Sequence, residues 1–354
     1  MRAALLEEVG KLTLVERDVP VCPPDGLLVR VASCGVCTTD VKIYNYGHHK
    51  ISLPRVLGHE LAGVIEEVGP QVQTDGTRYS AGTRVAVCAV INCGECRYCM
   101  RGVPSMCERL QAFGYHYDGG YQEHIQVPAV SLRCGGVHPI PENVSDDEAA
   151  VAELLACCIN GQSLSDVRFG ESMLIMGAGP VGIIHAQLAA ARGCAPVYIS
   201  DIVPQKLEVA KRIVGDGLTG TFDARDGEGF ERAAAEATGG YGFDQVMIAT
   251  GVPVAQQAAI RIVAKMGYVN FFGGLPKGKS DVVIDTNEVH YKQCRVVGTH
   301  GSSALENRMA IDMIAKGQID LAPLVTHRIG IDELEGLLKT EQKGADYLKA
   351  VVAW

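Results

Sequence analysis

The sequence predicts a two-domain α/β protein, with a β-rich domain at the front, a doubly wound parallel sheet behind it, and a chain end that returns to the first domain. Three observations carry this prediction. Met173 to Asp201 reads as strand, glycine turn, helix and second strand. Well before it, four of the thirteen cysteines fall between Cys93 and Cys107. After about residue 156, apolar strands and Ala-rich helices alternate, the pattern of a parallel sheet covered on both faces.

A chain of 354 residues is long for one core, so two domains are expected. The net charge of −9 argues against nucleic acid or an anionic membrane surface as a partner. No apolar run approaches a membrane span, and the start Met1-Arg2-Ala3-Ala4-Leu5-Leu6-Glu7-Glu8 lacks a signal peptide's apolar core, so a cytoplasmic protein is expected. An odd number of cysteines in such a chain points to metal or thiol chemistry, not to a disulfide framework.

The opening 90 or so residues read as short strands and turns. Leu12 to Glu16, Leu27 to Ala32, Ala62 to Val68 and Arg84 to Ala89 are expected strands, and Cys22-Pro23-Pro24-Asp25-Gly26 is a turn. Cys93, Cys96, Cys99 and Cys107 then follow as C-x2-C-x2-C-x7-C. This spacing lets one lobe offer four thiolates to a tetrahedral ion at Zn–S distances of about 2.3 Å. Four thiolates leave no open position, so this zinc is expected to be structural. A helical passage starts at Asp146 and runs to Ala156.

Helices are expected at 180–192, 204–214, 227–237 and 252–265, and strands at 173–176, 197–201, 243–249, 267–272 and 295–299. Ser302 to Lys316 reads as an amphipathic helix offering Leu305, Met309, Ile311, Met313 and Ile314 to a core, and Lys349 to Trp354 reads as a strand. In the glycine turn, Gly177 and Gly179 allow a tight bend and close approach to a pyrophosphate, and Gly182 lets helix and strand pack. Together with Pro180 and Val181 at the helix N-terminus, they form the expected dinucleotide site. Asp201, nineteen residues after Gly182, suits a ribose 2′-hydroxyl. Its charge would repel a 2′-phosphate and no arginine follows at once, so NAD is expected over NADP, although Lys206 is near.

Two motifs in the β-rich domain add a second metal site: Cys37-Thr38-Thr39-Asp40 and Gly58-His59-Glu60. Thiolate, imidazole and carboxylate together suit a catalytic zinc. With these residues in this order, the whole chain resembles the zinc-dependent medium-chain alcohol dehydrogenases. Within that family it is most similar to the polyol and threonine dehydrogenase branch, because Ala152-Glu153-Leu154-Leu155-Ala156 carries a glutamate where the liver-type enzymes have a cysteine ligand.

The resemblance implies a GroES-like β-rich catalytic domain over 1–152 and 299–354 and a Rossmann NAD-binding domain over 153–298. It implies two zinc ions per subunit. One is held by Cys37 and His59, with Glu60 and Glu153 completing the sphere directly or in exchange with water. The other is held by Cys93, Cys96, Cys99 and Cys107. Asp40 would fix the His59 tautomer, and Thr39 would hydrogen-bond the substrate oxygen and start its proton outward. Zinc would favour the alkoxide of a bound alcohol, whose carbon gives a hydride to NAD. The resemblance also implies a homodimer or homotetramer joined through an edge strand near Gly267 to Gly273.

Two positions depart from the family pattern. Lys42 stands where many relatives have the histidine that ends the proton relay, and Leu154 stands where proline is common. Tyr44, Tyr46, His48, His49, Phe113, Tyr115, His116 and the segment 299–303 suggest a hydroxyl- and imidazole-lined cleft. The expected substrate is therefore a small polyhydroxylated alcohol or sugar, oxidised at a secondary alcohol of a polyol, cyclitol or sugar. Oxidation of threonine is the runner-up, and a lyase or epimerase using NAD transiently is a third reading.

Overall fold

The computed structural model describes residues 1–73, 79–276, 278–340, 344 and 346–354. The chain divides into two units, one of Met1–Ala156 with Ser302–Trp354 and one of Cys157–Gly301. The fold is a GroES-like β-rich domain with a Rossmann-type parallel-sheet domain. The boundary falls inside the helix Asp146–Leu164, which continues beyond the expected Ala156. No helix among the described residues is long and apolar enough to cross a membrane.

In the first unit the organising strand is Leu27–Val36, a ten-residue run buried along most of its length. It pairs antiparallel with Glu60–Val68 on one side and with Lys349–Ala353 on the other. The last strand of the chain thus lies beside the strand that leads to Cys37. Leu27, Val29, Val31, Leu61, Ile65 and Val85 meet in one apolar core beneath these strands. A small sheet of Arg2–Glu8, Lys11–Glu16 and Arg55–Val56 completes the unit's framework.

In the second unit six parallel strands run in the order Gly220–Asp223, Val197–Asp201, Met173–Met176, Phe243–Ile248, Val263–Phe271, Arg295–Gly298. This is the 3-2-1-4-5-6 order of a dinucleotide-binding sheet, with its crevice where the strand order reverses, beyond Met176 and Ile248. All four residues of Met173–Met176 are buried, as a strand covered on both faces requires.

Three expectations need correction. The helix expected over 252–265 ends at Ile262, and the strand begins at Val263, not 267. Val263 is buried and pairs with Phe243, so tertiary packing takes these residues from the helix. Val263–Phe271 is an inner strand, so the segment from Gly267 does not form the sheet edge; among the described residues the edge on that side is Arg295–Gly298. In the helix Ala304–Ala315 the buried face is Asn307, Ala310, Ile311 and Ile314, whereas Leu305 and Met309 are exposed on another side.

Gly35 sits opposite Glu60 in the ladder, and a Cβ there would lie 1.9 Å from Glu60 Oε2. Gly35→Ala should therefore lower stability by about 1–3 kcal/mol, the usual cost of overpacking a buried site. Urea denaturation checks this, and an unchanged midpoint would contradict the packing described.

Candidate functional site

The first candidate metal centre grows from the strand geometry. Leu27–Val36 ends at Val36, Cys37 caps the following helix Thr38–Tyr46, and Glu60 begins the neighbouring strand directly after His59. Ligand atoms of Cys37, His59 and Glu60 consequently lie within 4.8 Å of one another. Sulfur, imidazole nitrogen and carboxylate oxygen are donors that zinc accepts at an open, catalytic type of site.

Asp40 is fully buried behind His59, its Oδ1 3.4 Å from His59 Nδ1, which leaves Nε2 for a metal. Its Oδ2 accepts from the Cys37 amide at 3.0 Å and from the Tyr121 hydroxyl at 2.8 Å. Burial would raise the Asp40 pKa, yet the charge of His59 and the hydrogen bonds around it hold the group below the usual carboxylate range. For His59 burial pulls downward, and the charges of Asp40 and Cys37 outweigh it. One carboxylate therefore both caps the helix that follows Cys37 and orients the imidazole.

Glu60 has a partner that sequence reasoning missed. Lys349 Nζ lies 2.5 Å from Glu60 Oε1, and both side chains are buried, at 5% and 0% exposure. Burial lowers the Lys349 pKa, but the charges of Glu60 and Cys37 more than reverse this and hold it above its ordinary value. The signal was a single lysine in the otherwise apolar run Lys349-Ala350-Val351-Val352-Ala353.

Glu153 is half-buried on the helix Asp146–Leu164 and lies outside the three-residue ligand set. Its charge is nevertheless felt at Tyr115, whose pKa is pushed up to about 12, first by burial and further by Asp40, Cys37 and Glu153. The Tyr115 ring meets His59 at 6.2 Å and His48 edge-on at 5.3 Å. Thr39 is half-buried on the first turn of its helix, and Lys42 is exposed.

The second candidate metal centre is the cysteine lobe. Its Sγ–Sγ separations are 4.0 Å for Cys93–Cys99, 3.5 Å for Cys96–Cys99, 3.9 Å for Cys96–Cys107 and 3.5 Å for Cys93–Cys107. A tetrahedron of thiolates about 2.3 Å from zinc has edges of about 3.8 Å. Amides reinforce the sulfurs: Cys96 N donates to Cys93 Sγ and Cys93 N to Cys107 Sγ, both at 3.3 Å. Amide hydrogen bonds pull Cys96 down to about 6, while desolvation pushes Cys107 up to about 12. A dication among the four sulfurs would favour the thiolate form of all of them.

In the second unit the turn Gly177–Gly182 joins Met173–Met176 to the helix Pro180–Ala191, with Gly179 as N-cap. A Cβ on Gly182 would lie 1.8 Å from the Gly177 carbonyl, and Gly177 itself has φ +114°. Both positions demand glycine, and Pro180 and Val181 open the helix. Asp201 Oδ2 accepts from the Ala178 amide at 2.8 Å and Oδ1 from the Val203 amide at 2.9 Å, so the acid braces the turn. Beside it lies a cavity of about 350 Å³ walled by Ile202, Phe230, Val252 and Ala255, with Asp201 and Arg261 among its polar members. Arg261 is clamped bidentately by Glu231.

The chain matches the family description "Alcohol dehydrogenase GroES-like domain" over residues 23–142 and "Zinc-binding dehydrogenase" over residues 180–316. An L-threonine 3-dehydrogenase of Rhizobium johnstonii is 32% identical, covering 100% of this chain and 99% of the relative. A second, of Alteromonas mediterranea, is 30% identical over 96% of each chain. A zinc-binding dehydrogenase of Sinorhizobium meliloti 1021, solved with NADP, superposes with a TM-score of 0.91 at 30% identity, covering 100% and 99%. Galactitol-1-phosphate dehydrogenase of Escherichia coli has a TM-score of 0.87 at 24% identity over 100% of both chains, a likeness of fold.

Lys349→Met should cost about 3–5 kcal/mol, because it strands a buried carboxylate. The Lys349 pKa is raised on folding, so its contribution is complete below the unfolded-lysine value of about 10.4 and is lost as pH rises through the higher folded one. Denaturation between pH 7 and 11 should show this alkaline limb in the parent protein and not in the variant. Equal midpoints for the two at pH 7 would contradict the pairing.

Proposed function

The chain belongs to the zinc-dependent medium-chain alcohol dehydrogenase family, and on that footing we propose that it oxidises a secondary alcohol, handing the hydride to NAD. The convergence of Cys37, His59 and Glu60, in a chain whose second unit carries the glycine turn, is the observation that carries this reading.

Cys37 and His59 would hold the catalytic zinc, with Glu60 and Glu153 able to complete the sphere, and Cys93, Cys96, Cys99 and Cys107 a structural zinc. When bound, zinc supplies Lewis-acid polarisation of the alcohol oxygen and NAD supplies the hydride acceptor. The chain's own residues do the rest. Asp40 fixes the tautomer of His59, and Lys349 restrains Glu60 so that this carboxylate is available without being free. Thr39 accepts the alcohol's proton into a hydrogen bond and passes it outward. Lys42 stands exposed on the same helix, so the outward path from Thr39 has no buried imidazole at this position and would end at Lys42, at a ribose hydroxyl of bound NAD or at water.

Tyr115 and His48 shape the substrate wall. Tyr115 stays protonated at neutral pH, and His48 Nδ1 accepts from the Lys50 amide at 3.2 Å, which leaves the proton on Nε2. Both therefore present donors to an acceptor oxygen on the substrate. Polyol, cyclitol or sugar hydroxyls suit them. A second reading, threonine as substrate, is favoured by the curated relatives at 30–32% identity. L-threonine too is oxidised at a secondary alcohol, so the chemistry is shared.

The preference for NAD rests on Asp201, whose charge sits where a 2′-phosphate would go, and on Arg261, already neutralised by Glu231. The NADP found with the Sinorhizobium protein makes a parallel assay with NADP necessary.

Metal analysis of the purified protein should find two zincs per chain. Cys37→Ser should retain one, still bind NAD and lose activity by at least about a hundredfold; normal turnover in that variant would refute the catalytic assignment. Absorbance at 340 nm, followed with polyols, cyclitols, sugars and threonine in NAD and NADP, should show turnover of one substrate class with NAD. Activity with threonine alone would decide for the second reading. Silence from protein holding both zincs would point to an unusual biosynthetic alcohol outside the panel or to transient use of the cofactor.

A further inference from the structure

A cavity of about 270 Å³ in the first unit shares no residue with either metal centre. Arg17, Arg55, His116 and His124 line it, together with Asp18 and Asp118. Asp118 occupies only one nitrogen of each arginine: Arg17 Nη1 reaches its Oδ2 and Arg55 Nη1 its Oδ1, each at 3.0 Å. The Val56 amide donates to the same Oδ1 at 3.3 Å. On Arg55 the Nε–H is buried with no hydrogen-bond partner among the described residues. A buried donor left over in this way needs an acceptor. His124 Nε2 donates to Glu66 Oε2 at 2.8 Å, so its Nδ1 is an acceptor and the ring adds no donor to the cavity. His116 Nδ1 accepts from the Ala112 amide at 3.2 Å, so its Nε2 carries the proton and adds a further donor. The pKa of His116 is lowered, first by partial desolvation and then by the charges of Lys50 and Arg55, a sign of positive field at this spot.

We propose that this cavity is a binding site for a small free oxyanion of the phosphate or sulfate type, separate from the alcohol and dinucleotide sites. The Nε and remaining Nη of an arginine form a planar fork that matches two oxygens of such an anion. Asp118 is spent between the arginines and holds them apart, and Asp18 is the one lining carboxylate that opposes the ligand. The site abuts the metal centre through backbone: Gly119 N donates to Val56 O at 2.8 Å and Tyr121 N to Leu57 O at 3.1 Å, on the segment just ahead of His59. Tyr115 directly precedes His116.

The test is thermal melting of the zinc-loaded protein, with NAD saturating so that the glycine turn is filled. Sodium sulfate and inorganic phosphate are titrated against sodium chloride at matched ionic strength. Sulfate and phosphate should raise the Tm saturably. Arg55→Gln and Arg17→Gln should weaken the apparent affinity about tenfold each, and Asp18→Asn should strengthen it, as expected for charge-assisted contacts. Arg17 and Asp18 are exposed, so their variants keep the test informative if Arg55→Gln folds poorly. A shift that chloride reproduces, or one unchanged in both arginine variants, would overturn the proposal. So would sulfate raising the KM of the alcohol competitively, because the anion would then share the substrate's site.

Discussion

The buried pair of Lys349 and Glu60 is the interaction on which the geometry of the candidate ligand set depends. Two ions withdrawn from water each cost several kcal/mol, and their attraction repays that only when the contact is close and both remain paired. Here the contact is 2.5 Å, and it joins residues on two strands that flank the same partner, Leu27–Val36. Gly35 lies opposite Glu60 on one side and Val351 on the other, and its missing Cβ is the space into which the Glu60 carboxylate fits. A one-residue slip of either flanking strand would turn its charge to the other face of the sheet. The pair thus selects the register, and the register brings Cys37, His59 and Glu60 together.

The nucleotide turn obeys a different constraint. It is built almost wholly from backbone: glycines where a Cβ would collide, amides at a helix N-terminus, and one acid that ties the end of the second strand to the turn through the Ala178 amide. Asp201 is thus a structural brace, and removing its charge would loosen the turn.

Much of this was legible in the sequence because the informative residues are neighbours along the chain. The cysteine spacing, the glycine turn and the strands 173–176 and 197–201 need no distant partner to be recognised, and the helices 204–214 and 227–237 coincide with their expected limits. What failed was decided at long range. The residues from Val263 have helical spacing, but pairing with Phe243 makes them strand. The helix 304–315 turns Asn307 and Ala310 inward while Leu305 and Met309 stay exposed, a choice of face that packing partners make and local hydrophobicity does not. Lys349 lies 289 residues from Glu60, and no local pattern relates them.

Asp40 shows how the two kinds of information combine. Capping the helix after Cys37 and orienting His59 are two separate tasks for a carboxylate three residues on from Cys37. In the fold they are one function: Oδ2 takes the Cys37 amide and so fixes the start of the helix, while Oδ1 faces His59 Nδ1. The Tyr121 hydroxyl, 81 residues away, donates to the same Oδ2 and helps hold the carboxylate in the orientation that serves both. Ligand identity is therefore a local property of the chain, whereas ligand orientation belongs to the tertiary structure. A metal site copied as motifs alone would hold the donors without the aim.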